Sequence, residues 1–264
     1  MGADEVTLGR KKDPPSELRV ARRMQLIERR HAEFGEQFNS IEHARSTGRT
    51  HAIFIGDCHL RVIHRAVQTG EATTLMPNAW CDPCIVGGAT AHGLANPHSE
   101  SQAGNIFRRR LEFAEKWQHL VFMLGEADTG FMIWYRTHQL GESIAKLGES
   151  LEPYLAFLRE VHEQGFEKMI VLSSPATPGH RRIRRQKFEV TQEDRTELTM
   201  RWNQELADRA GDMYTYVDVT TQTLDPATGL VKPEYIDPHD QDHLLSEPYG
   251  LVIAEQLKPL LTPP

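Results

Sequence analysis

Ile53-Phe54-Ile55-Gly56-Asp57-Cys58-His59 brings an apolar run to a glycine, then sets an acid, a thiol and an imidazole side by side. An apolar run closed by a tight turn reads as a buried strand whose last residues are lifted out of the sheet. Open α/β sheets carry reactive groups at that carboxyl edge. Cys58 is therefore expected at an exposed strand-to-helix turn.

Outward from this stretch, the pattern repeats. Arg61 to Gly70 reads as a helix stopped by glycine. Cys84-Ile85-Val86 is a short strand leading into the glycine loop Gly87-Gly88-Ala89-Thr90-Ala91-His92-Gly93. Asn105 to Gln118 is helical, and Leu120-Val121-Phe122-Met123-Leu124 is the clearest buried strand, ending in Gly125-Glu126-Ala127-Asp128. A helical region from about Gly141 to Glu163 precedes the strand Met169-Ile170-Val171-Leu172. Glu193 to Ala210 is an amphipathic helix, Tyr214 to Val219 a strand, residues 221–242 an ordered loop and Leu244 to Leu261 the last helix. Strands alternating with helices imply a parallel sheet covered on both faces. With right-handed crossovers that is a three-layer, doubly wound α/β domain.

The chain has 264 residues, enough for one full core; 39% are hydrophobic and 25% charged. A net charge of −7 argues against a general nucleic-acid binder. No apolar run reaches membrane-spanning length. Three cysteines without an export signal point to reduced thiols in the cytoplasm. Residues 1–16 read as a flexible arm. From Ser16, a good N-cap, Val20, Met24, Ile27, His31, Phe34, Phe38 and Ile41 form a heptad-like seam on one helix face. Such a helix packs on the body of the domain or makes a homodimer contact. The division is thus 1–48 for arm and helix and 49–264 for a catalytic domain.

The chemistry gathers at the strand ends. Asp240 stands three residues before His243, so one loop can present imidazole and carboxylate together. A nucleophile on an early strand, a base on the last loop and backbone N–H donors between them make an acyl-transfer machine.

These spaced blocks resemble the SGNH, or GDSL-type, hydrolase superfamily of esterases, thioesterases, deacetylases and acyltransferases. The resemblance spans roughly residues 50–260 and implies a flavodoxin-like α/β/α sandwich and no cofactor. Gly56-Asp57-Cys58 resembles the Gly-Asp-Ser nucleophile block, with Cys58 in the serine position. Gly88 resembles the oxyanion-hole glycine, with Gly93 as fallback, and the Cys58 amide is the second donor. Gly125 to Asp128 resembles Gly-x-Asn-Asp, and Asp240 with His243 resembles Asp-x-x-His. The resemblance thus implies a Cys58–His243–Asp240 triad, with no metal.

Two departures stand out. A thiol ionises more readily than a hydroxyl, and its acyl intermediate is a thioester, which moves weight from hydrolysis toward transfer to an amine or thiol in small-molecule biosynthesis. Ala127 stands where the family usually has asparagine, a side-chain oxyanion donor whose loss costs on the order of 100-fold in rate. Asn96, Asn105 or His92 are the available replacements. A degenerate, non-catalytic ligand-binding module would also account for Ala127.

Asp57, His92, Glu126 and Asp128 are expected around the substrate, Glu126 and Asp128 either orienting it or capping the following helix. His59 reads as a helix-start residue, and His239 competes with His243 but lacks an acid three residues ahead. The basic loop Pro178 to Val190, with Arg182 and Arg185, would receive an acidic substrate, a phosphopantetheine-bearing carrier or a CoA thioester. Trp80-Cys81-Asp82-Pro83-Cys84 matches the thioredoxin-like redox motif, but strand and glycine loop follow it where that motif opens a helix. A zinc site there would need two further ligands, such as Cys58 and a histidine.

Overall fold

The computed structural model describes residues 21–22, 24–29, 44–63, 76–141, 147–178, 190–237, 239 and 246–261. Within them the strands are β1 (Thr50–Gly56), β2 (Ala79–Ile85), β3 (His119–Met123), β4 (Met169–Leu172) and β5 (Thr215–Val217). They form one parallel sheet in the order β2-β1-β3-β4-β5, as expected for a doubly wound domain. The helices are α1 (Ala91–Leu94), α2 (Ala103–Leu111), α3 (Ile133–Leu140), α4 (Leu147–Glu163), α5 (Gln192–Asp208) and α6 (Glu247–Leu257).

β1 is buried from end to end, so its alternation shows only in which layer each side chain joins. Ile53 and Ile55 pack with Phe107, Phe157 and Trp202 from α2, α4 and α5. Ala52 and Phe54 pack with Tyr249, Ile253 and Leu257 from α6. Apolar residues on both faces are what a central parallel strand requires, and they make the carboxyl edge the place where polar side chains can emerge.

Several boundaries differ from the sequence expectation. β2 begins at Ala79, so the Trp80–Cys84 motif is strand throughout. Cys81 and Cys84 join opposite core layers, which places the two thiols on opposite faces of the sheet. Pro83 is accommodated because β2 is an edge strand. α2 stops at Leu111, short of Gln118. The long helix expected from Gly141 begins at Leu147 among the described residues, and Gly141 instead ends α3, which the sequence had not announced. A π-helical turn, Asp128–Met132, leads into α3.

Of the N-terminal seam, Met24 and Ile27 lie on described residues. Ile27 packs with Leu26 against the α2–α4–α5 layer, whereas Met24 is exposed. No helix among the described residues is long and apolar enough to cross a membrane.

Candidate active site

Gly56 ends β1 against β3 so closely that a Cβ there would overlap the Met123 carbonyl oxygen. The Asp57 amide still donates to that carbonyl at 3.3 Å, and the chain then leaves the sheet as a 3-10 turn, Cys58–Leu60. Asp57 caps the turn: its Oδ1 accepts the His59 amide at 2.9 Å. Cys58 is therefore the first residue of the turn, partly exposed, at the carboxyl edge of the central strand.

His59, next in the turn, is fully buried. Its Nδ1 lies 3.3 Å from the same Asp57 Oδ1, and its ring also hydrogen-bonds the Cys58 side chain. Burial works against a charge on this ring. The hydrogen bonds to Asp57 and Cys58 and the charges of Asp57 and Glu126 more than offset it, so its pKa is raised well above the usual histidine value. Reactive atoms of Asp57, Cys58 and His59 all lie within 4.8 Å of one another. Hydrogen bonds within the trio account for that convergence, and we read it as a proton-sharing group and not as a metal centre.

β2 supplies the second wall. The Val86 amide donates to Gly56 O at 2.9 Å, tying the glycine loop to the nucleophile turn. Gly88 turns with a φ of 69°, a conformation that favours glycine, and an added Cβ would meet nothing within 4 Å. Among the described residues nothing accepts its N–H, which is what an oxyanion donor needs. Gly93 is unsuited as the fallback because its amide donates to Thr90 Oγ1 at 3.0 Å in the N-cap of α1. Asn96 and Asn105 make local bonds, to His98 N and from Nδ2 to Gln102 Oε1. His92 is exposed, 3.5 Å from Arg136 Nη1.

The third wall follows β3. Glu126 is buried and accepts a hydrogen bond from Thr177 Oγ1 at 2.9 Å, which joins it to the segment after β4. That segment is itself clamped by Asn203 of α5, which bonds both the amide and the carbonyl of Ser174. Ala127 is partly exposed and carries no donor. Asp128 does cap a helix, but across the fold: it accepts the Ala91 amide at 2.8 Å and the His92 amide at 3.4 Å, at the start of α1. Burial drives its pKa up to about 7, with the charges of Asp57 and Glu126 adding, against the two amides.

The structure thus brings Asp57, Cys58, His59, Gly88, Glu126 and Asp128 to one sheet edge. Arg182, Arg185, Asp240 and His243 lie outside the described residues. His239 is exposed, its amide bonded to Asp237 Oδ1. The sequence reading passed over His59 as a partner, and Thr177 and Asn203 as supports. An acid two residues before His59 was the available signal for the first; the other two depend on contacts distant in sequence.

The Cys81–Cys84 pair is distant from redox chemistry. Burial, with the Asp82 charge adding, pushes the Cys81 thiol up to about 12, and Asp82 itself pairs with Arg110 Nη2 at 2.6 Å. All three cysteines are free thiols.

No protein-family profile matches the chain, and no curated protein matches it significantly. Solved structures do. The M. smegmatis aryl esterase in its inhibitor-bound form is 14% identical, with 80% of this chain and 100% of that chain aligned at a TM-score of 0.55. A GDSL-like lipase from Bacteroides thetaiotaomicron VPI-5482 is 11% identical over 88% of this chain and 98% of that one, at a TM-score of 0.51. The sheet order, the helices on both faces and these alignments give one answer: the chain has the α/β fold of the SGNH, or GDSL-type, hydrolases.

Proposed function

We propose that the chain is an SGNH-type acyl-transfer enzyme working through a covalent acyl-cysteine. The observation that carries this is the position of Cys58: partly exposed, first in the turn after β1, at the sheet edge that also carries the Gly88 loop. The esterase and lipase named above have the same fold. Cys58 attacks an ester or thioester carbonyl, the amides of Cys58 and Gly88 receive the oxyanion, and the leaving group departs to give an acyl-enzyme. His243, oriented by Asp240, then takes a proton from water or from an amine or thiol acceptor, and that nucleophile releases the acyl group.

Support for the His243 assignment comes from α6. Gly250, in its first turns, packs so tightly on Val62 that an added Cβ would lie 2.9 Å from Val62 Cγ2. The start of α6 therefore packs on the segment that directly follows the Cys58 turn, and His243 stands four residues before α6 in the sequence. In the sequence the basic stretch follows Thr177, which touches Glu126, and its charge favours a phosphopantetheine-bearing carrier or a CoA thioester as donor. A thiol nucleophile suits a reducing compartment such as the cytoplasm. Homodimerisation through the N-terminal helix is a further proposal, decided by light scattering.

Intact mass after incubation with a panel of acyl-thioesters tests the reading. A stable adduct on Cys58, lost in Cys58→Ala together with turnover, is the expected result. Full turnover by Cys58→Ala refutes the mechanism. Inertness of Cys58 toward iodoacetamide selects the non-catalytic binding module that Ala127 would suit.

A further inference from the structure

We propose that His59, the residue next in sequence, is the charge partner that holds Cys58 as a thiolate in the resting enzyme; this rests on Cys58 being the nucleophile. The SGNH plan assigns activation to the distant loop histidine. Here a second imidazole is built into the nucleophile turn itself. The residue is anchored on one oxygen: its backbone N–H donates to Asp57 Oδ1 at 2.9 Å and its ring Nδ1 lies 3.3 Å from the same atom. His59 has no solvent exposure, while Cys58 beside it is partly exposed.

The charges around the pair make the imidazole necessary. Asp57 stands within the same 4.8 Å trio, and by itself a carboxylate there opposes ionisation of the thiol. The charge of Glu126, from the segment after β3, reaches the ring, Asp128 feels the charges of Asp57 and Glu126, and Tyr249 of α6 and Tyr154 of α4 feel that of Asp57. On the same segment the Arg61 guanidinium lies at Gly87, 3.3 Å from where a Cβ on that residue would be. His59 is the cation in contact with the sulfur among these groups. Asp57 and Glu126 keep it charged, and its charge in turn offsets theirs at Cys58.

In the resting pair the S–H bond is broken and an imidazole N–H formed, with no net change in charge. Attack then needs no proton transfer from Cys58. The sulfur–carbon bond forms, the carbonyl pair moves to oxygen, and collapse expels the leaving group as an anion that takes its proton from solvent. His243 is left to deprotonate the acceptor in the second half-reaction, which regenerates the thiolate.

The test is the pH dependence of Cys58 alkylation by iodoacetamide, followed by intact mass on the full chain. Cys81 and Cys84, both buried, serve as slow internal controls. The unaltered protein should reach half-maximal rate below the ordinary cysteine value of about 8.5. His59→Gln should move that midpoint up by about one to two pH units, with the turnover profile moving in parallel, because Asp57 is then uncompensated. His243→Ala should lower turnover and leave the alkylation midpoint where it was. An unmoved midpoint in His59→Gln, or an equal shift in His243→Ala, overturns the proposal.

Should His59→Gln fold poorly, the unaltered chain gives the answer by imidazole NMR. Blocking Cys58 with iodoacetamide should lower the His59 pKa, and an unchanged value overturns the pairing. Retained turnover in Cys58→Ala would instead sink the nucleophile assignment, whatever the alkylation profile shows.

Discussion

Asp128→Asn should make the protein less sensitive to alkaline unfolding, although it removes a buried acid beside the site. Asp128 is held at about 7 in the fold, against 3.8 as its ordinary value, because burial disfavours its charge more than the Ala91 and His92 amides favour it. The folded state therefore binds more protons than the unfolded state between those two values, and stability falls as pH rises through that window. Integrating the linkage from near pH 5 to near pH 8 gives a loss of about 2–3 kcal/mol from this one group. Asparagine keeps an oxygen for the Ala91 amide but loses the second acceptor, a pH-independent cost of about 1 kcal/mol. The variant should thus be slightly weaker than the parent near pH 5 and stronger by about 1–2 kcal/mol near pH 8, a crossing of the two stability curves. Urea unfolding of both proteins at the two pH values measures this, and comparing them cancels groups common to both, His59 included. A difference between parent and variant that is the same at both pH values would refute the account of Asp128 as a neutralised acid.

Three other outcomes are expected. Asp82→Asn should cost about 3–5 kcal/mol in urea unfolding, since it strands the buried Arg110 guanidinium now 2.6 Å from Asp82; a cost under about 1 kcal/mol would show the pair to be dispensable. Mild oxidation should leave Cys81 and Cys84 unlinked, because β2 sends them into opposite core layers, and a mass loss of two hydrogens within that peptide would contradict the strand assignment. Ala127→Asn should raise acyl-enzyme formation by tenfold or more, within the roughly 100-fold that one oxyanion donor supplies; no gain in single-turnover rate means that position 127 does not face the oxyanion.

The central strands were legible because parallel strands buried on both faces spell themselves as unbroken apolar runs, as in Ile53–Ile55 and Met169–Leu172. β2 was half hidden. Asp82 and Pro83 look foreign to a strand, and both are tolerated for reasons remote in sequence: Arg110 of α2 neutralises the first, and the edge position accepts the second. α3 was missed because a π-helical turn containing Gly130 precedes it. That glycine lets the turn lie against Thr177, where a Cβ would collide with the Thr177 hydroxyl, and no local pattern announces such a contact. The site divides in the same way. Cys58 and Gly88 follow from strand ends, whereas the cap that Asp128 places on α1 joins residues 37 apart. His59 was visible as a residue and invisible as a partner, since its meaning depends on burial.

The cysteine, the charged neighbour and the missing asparagine belong together once leaving groups are considered. A tetrahedral adduct formed by Cys58 can collapse in two directions, and it expels the better leaving group. Against an alkyl ester the thiolate of Cys58 is the better one, so the adduct returns to substrate unless the alkoxide is protonated or the oxyanion is held long enough for proton transfer. A side chain lacking a donor at 127 shortens that hold, and the buried His59 keeps its proton paired with Asp57. Against a thioester the two leaving groups are alike, forward collapse needs no acid, and a two-amide oxyanion hole suffices. On the proposed mechanism the site would favour thioesters over alkyl esters, and the preference would be a property of the sulfur. In Cys58→Ser the oxygen nucleophile is the worse leaving group, so the ratio of thioester to ester kcat/KM should fall. A ratio unchanged by that substitution would mean that binding, not the chemistry of Cys58, chooses the donor.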